Sequence, residues 1–251
     1  MAFPQTIMGK YGWEKVSTTT QKQKVGTHMQ IGEREFVYFS AGEATTAGLL
    51  MMQPVAVAAH DLDITTSANI AAGDTTITLE VPTTDLTANR YKDGWLVFND
   101  IGEEGHMYRI KSNPAHDASD DNTVVFTIDE EDGFHQAITL GASNIQCGLI
   151  ANPYASSTIY QHDAIVGAPL GWSVSDIASA SYGWMCVKGP TMALCNGAIT
   201  IGLPACAAND TLDGAVEALD SDDDAEGTIV GYMGPIAGVN GEYGLIKANI
   251  G

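Results

Sequence analysis

The segment Thr75-Thr-Ile-Thr-Leu-Glu-Val81 alternates without exception. Ile77, Leu79 and Val81 fall on one side of an extended chain and Thr76, Thr78 and Glu80 on the other, a period that a half-buried β-strand satisfies and a helix does not. Runs of the same β-branched and aromatic character recur at residues 35–40, 95–98, 107–110, 123–128, 182–188, 228–233 and 242–250, most of them bounded by Gly, Asn, Asp or Ser. Residues 95–98 and 107–110 flank the glycine-punctuated residues 99–105, which predicts a hairpin. Residues 191–195 and 198–201 flank Asn196-Gly197, a pair that tolerates the positive φ of a type I′ turn, and predict another. Tyr182, Trp184 and Cys186 share one face of a strand expected to end at Gly189-Pro190, which places Trp184 in a core. Only residues 210–219 resemble a helix, interrupted by Gly214. Many short strands at close spacing predict an all-β fold of small β-barrel or β-sandwich domains.

A chain of 251 residues accommodates one large all-β domain or two modest ones. The hydrophobic fraction of 45% and the spread of 27 Gly and nine Pro along the whole length argue for a packed protein over a disordered acidic one. Residues 17–30 show neither the helical nor the strand period, so residues 1–33 are expected to form an extended N-terminal arm. The pattern restarts after Asn152-Pro-Tyr-Ala-Ser-Ser, which divides the remainder into a β-rich domain over 34–155 and a C-terminal β-barrel over 156–251.

The formal net charge of −20 excludes general binding to nucleic acid, which requires a basic face. Its distribution is uneven. Residues 1–35 hold five bases and three acids, net +2, whereas residues 112–251 hold only Lys188 and Lys247 against eighteen acids, net −16. A basic arm on an acidic body is suited to docking on an acidic surface, its own subunit's or a partner's. The arm also carries two large aromatics that a segment without periodicity cannot bury by itself. Tyr11 and Trp13 are therefore the expected contact area, with Lys10, Lys15, Lys22 and Lys24 steering. Deleting residues 2–30 is expected to leave the body folded while attachment weakens.

Cys147, Cys186, Cys195 and Cys206 contain no C-x-x-C pair for zinc or redox chemistry and read as buried free thiols. The first ten residues lack the basic and apolar regions of a secretory signal, and the apolar stretches 44–59 and 189–209 are broken by Pro and polar residues, so a reducing cytosol and no membrane span are expected.

Catalytic signatures are weak. Six scattered histidines show no helical zinc spacing. Gly171-Trp-Ser-Val-Ser175 has Ser175 where a nucleophile elbow places its second glycine, and Gly9-Lys10 is followed by Tyr11 where a phosphate loop needs Ser or Thr. Asp220, Asp222 and Asp224 occupy positions 1, 3 and 5 of a calcium loop, but Ala225 and Gly231 replace its essential Gly and Glu. These acids read as a solvated turn. No enzyme, cofactor or metal is expected.

Two stretches carry a resemblance. The first runs from Ala72-Gly-Asp-Thr-Thr-Ile-Thr-Leu through Tyr91-Lys-Asp-Gly-Trp-Leu-Val-Phe and Gly105-His-Met-Tyr-Arg-Ile-Lys-Ser-Asn113 to Asn152-Pro-Tyr154. The second comprises Tyr182-Gly-Trp-Met-Cys-Val-Lys-Gly-Pro, Asn196-Gly-Ala-Ile-Thr-Ile-Gly, Asp213-Gly-Ala-Val, Ile229-Val-Gly-Tyr and Gly241-Glu-Tyr-Gly-Leu-Ile-Lys. Together, over residues 70–250, they resemble the head-decoration (capsid cement) proteins of tailed bacteriophages. The resemblance implies a non-enzymatic virion protein, commonly a homotrimer, that is assembled in the host cytoplasm and reinforces the head by binding the major capsid protein on its outer face. It does not extend to the basic arm. The alternative is a β-rich tail or fibre module that binds carbohydrate or calcium, suggested by the acidic loops and by aromatics expected at the surface, Tyr154 and Tyr160.

Overall fold

The computed structural model describes residues 6–62, 64–81, 83–100, 104–139, 145–163, 166–209, 211–219 and 228–250. The chain is nearly all β and forms two compact units, Met1–Val55 with Pro153–Gly251 and, between them in sequence, Ala56–Asn152. The N-terminal segment thus belongs with the C-terminal third, and the first boundary falls at 55/56 instead of 33/34.

The first unit begins with strands β1 (Thr6–Met8), β2 (His28–Ile31), β3 (Arg34–Ser40) and β4 (Leu50–Met52). The second contains a one-turn helix, α1 (Ala58–Asp61), then β5 (Ile64–Thr65), β6 (Thr76–Glu80), β7 (Trp95–Asp100), β8 (Met107–Ser112), β9 (Thr123–Ile128) and β10 (Gln146–Ile150). The chain returns to the first unit with β11 (Thr158–Ile159), β12 (Pro169–Ser173), β13 (Tyr182–Leu194), β14 (Pro204–Ala207), β15 (Val216–Ala218), β16 (Ile229–Met233) and β17 (Tyr243–Asn249). The strands on either side of the inserted unit are neighbours: Thr158 pairs with Met52 and Ile159 with Met51. The second unit therefore occupies the place of a hairpin loop.

In the second unit six strands run in the order β5-β10-β7-β8-β9-β6, and the Thr66–Leu79 bridge brings the outer ends together into a nearly closed barrel. The alternation in residues 75–81 is realised as β6, with Ile77, Leu79 and Val81 buried beside Leu96, Ile110 and Phe126 in one core. The expected hairpin over residues 95–110 is β7–β8, in antiparallel register Trp95 to Arg109.

The first unit is organised on β13, thirteen residues long. Its first half pairs with β3 and β12, and from Lys188 onward it pairs with β17. Gly189-Pro190, expected to end this strand, instead lies within it at the change of partners. Gly189 adopts φ 93°, and a Cβ there would stand 2.7 Å from the Glu33 carbonyl oxygen, so only glycine fits the bend. The second half continues through β17, β16, β14 and β15 around a core that includes Leu50, Trp172, Val216 and Ile246.

The extended arm is a correction. Residues 6–8 pair in parallel with β2, β2 pairs with β3, and Thr18 exchanges two backbone hydrogen bonds with Tyr182. This segment buries Trp184, as expected of that residue, but against Met29, Ile31, Phe36 and Tyr38 instead of in a C-terminal barrel. Its polar sequence hid this because short strands alternating between solvent and core need few apolar residues. Asn196-Gly197 makes a corner, not a hairpin. Its flanking strands β13 and β14 do not pair, Gly197 alone has positive φ, and Ile199 bridges Gly238. Residues 210–219 form no helix where described; Val216–Ala218 is strand β15, tied to Ala205–Ala207. The calcium-like pattern at Asp220, Asp222 and Asp224 lies outside the described residues. No helix among the described residues is long and apolar enough to cross a membrane.

Candidate interaction surface

The residues expected to make contact lie on a folded ledge. After β1 the chain turns at Gly12 into one 3-10 turn, Trp13–Lys15, closed by bonds from the Trp13 amide to Lys10 and the Lys15 amide to Gly12. Glu14 is the anchor of this turn. It is 3% exposed, its Oε2 accepts the Gly12 N–H at 2.7 Å, and its Oε1 stands 3.8 Å from Arg34 Nη1. Arg34 in turn lies 4.6 Å over the Phe36 ring. A buried carboxylate is held only where donors and a cation offset its desolvation, and the Gly12 amide and Arg34 do so here.

Anchoring Glu14 fixes its neighbours outward. Tyr11 is 77% and Trp13 48% exposed, and Lys10 Nζ sits 6.0 Å from the Trp13 ring centroid, within cation–π reach. Met8, 75% exposed, extends the apolar surface. Lys15 is exposed at the mouth of a groove of about 510 Å³ that Glu14, Arg34, Val174, Met192 and Tyr243 also line. Lys22 and Lys24 are exposed on a later run, held to the body where the Lys22 amide donates to the Tyr38 hydroxyl at 3.0 Å. Lys10, Tyr11, Trp13 and Lys15 are thus brought together by one turn, and Lys22 and Lys24 are placed by a different anchor. Sequence reasoning missed Glu14 and Arg34, because charge counting treats both as surface groups.

Residues considered for chemistry are otherwise engaged. Ser173 is fully buried and its Oγ donates to the Ser175 carbonyl at 2.8 Å. All four cysteines are free and buried; burial raises each thiol, Cys147 to about 12, away from the reactive thiolate. Among the described residues no three His, Cys, Asp or Glu side chains gather as metal ligands. Tyr160 is 1% exposed and Tyr154 is half-buried, so the aromatics expected to present a stacking face for carbohydrate do not form one.

Known protein families, curated proteins and solved structures were each compared with the chain, and none matches it.

Proposed function

We propose that this protein is a capsid decoration protein of a tailed bacteriophage, a homo-oligomer that binds the major capsid protein on the outer face of the head lattice and stabilises it. The observation that carries this reading is the ledge of Tyr11 and Trp13, exposed between Lys10 and Lys15 on a chain of net charge −20. Large aromatics held in place are what an interface uses as anchors, since they lose little conformational entropy on binding.

The function is mechanical. A lattice bound at many equivalent places is stabilised by mass action, as any ligand stabilises the state it prefers. Purified protein added to expanded capsids should bind to saturation. The Tyr11→Ala/Trp13→Ala variant should stay folded and bind at least about tenfold more weakly, the effect of losing anchor residues. Equal binding by that variant removes the ledge from the interface.

A further inference from the structure

We infer that the outer face of strands β13, β17, β16 and β14 is an interface between copies of this chain. The inference deepens the homo-oligomeric part of the reading above by naming the surface that makes it.

The register defines the face. Ala193, Ile246, Met233 and Ala205 point into the core and are buried, so the residues alternating with them point out. Met192 stands opposite Leu245, Leu194 opposite Tyr243, and Pro190, Lys247, Tyr232 and Pro204 form one row across all four strands. Met192 is 40%, Tyr243 44% and Tyr232 49% exposed. Further exposed apolar residues lie just past the strand ends. Ile236, 50% exposed, accepts the Leu245 amide, and the turn carrying Ile201 and Leu203, 55% and 52% exposed, is bonded to Met233.

Area and charge together select the occupant. At about 200 Å² for a large side chain, those six exposed residues leave roughly 600 Å² of apolar surface. That reaches the upper end of what a monomer ordinarily leaves uncovered, and exceeds the roughly 450 Å² of apolar area on one side of a standard interface. The outward positions of these strands carry no carboxylate, although the chain has 31 acidic residues. Their only charges are Lys188 and Lys247, the two bases found after residue 111. On a chain of net charge −20, this face offers a second copy an apolar surface and two cations that favour its neighbour's acidic body. A face that meets a different surface of the next copy is heterologous and closes into a ring where the rotation permits.

Sedimentation equilibrium of the purified full-length chain tests this without any capsid. The wild type should sediment as an oligomer. Met192→Asp and Tyr232→Asp should each weaken self-association at least about tenfold, as expected for an anchor at an interface centre. Val125→Asp, at an exposed residue of β9, should sediment as the wild type. A monomeric wild type, or oligomers that persist in both face variants, overturns the inference. A monomer that still saturates capsids would leave the lattice-binding reading intact, and an oligomer that does not bind them would leave this one intact.

Discussion

Tyr38 and Trp184 meet edge to face, ring centroids 5.0 Å apart and planes inclined at 63°, joining the third strand of the chain to the thirteenth. Tyr182 also stacks on Tyr38, ring centroids 6.0 Å apart. This aromatic seam ties the N-terminal segment to the body, since the same Tyr38 hydroxyl accepts the Lys22 amide. A segment that completes a core is not removable.

Trp184→Ala should therefore destabilise the first unit by about 3–5 kcal/mol, through lost burial and an unfilled cavity. Deleting residues 2–30, expected from sequence to spare the body, should instead destabilise it comparably or worse, because it removes β1 and fully buried Met29. Denaturant titration followed by tryptophan fluorescence checks both. A deletion variant as stable as the full chain would show that residues 2–30 contribute nothing to this core.

Two glycines separate backbone strain from crowding. Gly197 has φ 85° with nothing within 4 Å of a Cβ, so Gly197→Ala should cost about 1–2 kcal/mol, the penalty for the left-handed region. Gly189→Ala carries the same penalty and a Cβ 2.7 Å from the Glu33 carbonyl oxygen, and should cost clearly more. Melting temperatures of the two variants give the order; the reverse order contradicts the bend assigned to β13.

Stability of the second unit should fall on mild acidification. His60 is 2% exposed and its Nδ1 is 2.8 Å from the Tyr91 hydroxyl. Burial lowers its pKa below 6.5; the Thr84 carbonyl and Asp61 oppose the shift, and Arg90 and His116 reinforce it. The unfolded chain then binds the proton more readily than the folded one, so the contribution is complete above pH 6.5 and declines as pH falls through the unfolded value. His60→Gln should flatten the thermal-stability profile between pH 7.5 and 5. An unchanged slope would assign the acid sensitivity to other groups.

Native protein should resist thiol reagents, because the four cysteines are buried with thiols raised by desolvation. All four should react in denaturant. Rapid labelling of any one under native conditions would contradict the packing around it.

The parts legible from sequence were those governed by local rules. Alternation at residues 75–81 identified β6, and the loop between two apolar runs identified β7–β8, because register and turn lie within a few residues of one another. The Asn196-Gly197 signal misled because Leu194 already pairs with Tyr243, so the chain leaves the corner without folding back on β13. The insertion at 56–152 was invisible because the pairing that brackets it, Met51 with Ile159, spans more than a hundred residues. On the ledge of residues 10–15, the exposed Lys10, Tyr11 and Trp13 stood out by charge and aromatic content. The buried Glu14 that orients them did not, since nothing local distinguishes it from Glu33 or Glu35.

Copy number per virion tests the central claim most directly. A decoration protein covers a lattice of equivalent sites, so a stained gel of purified particles should show this chain in numbers comparable to the major capsid protein, and the band should be depleted in particles assembled with the Tyr11→Ala/Trp13→Ala variant. A few copies per particle, or none, would contradict the account.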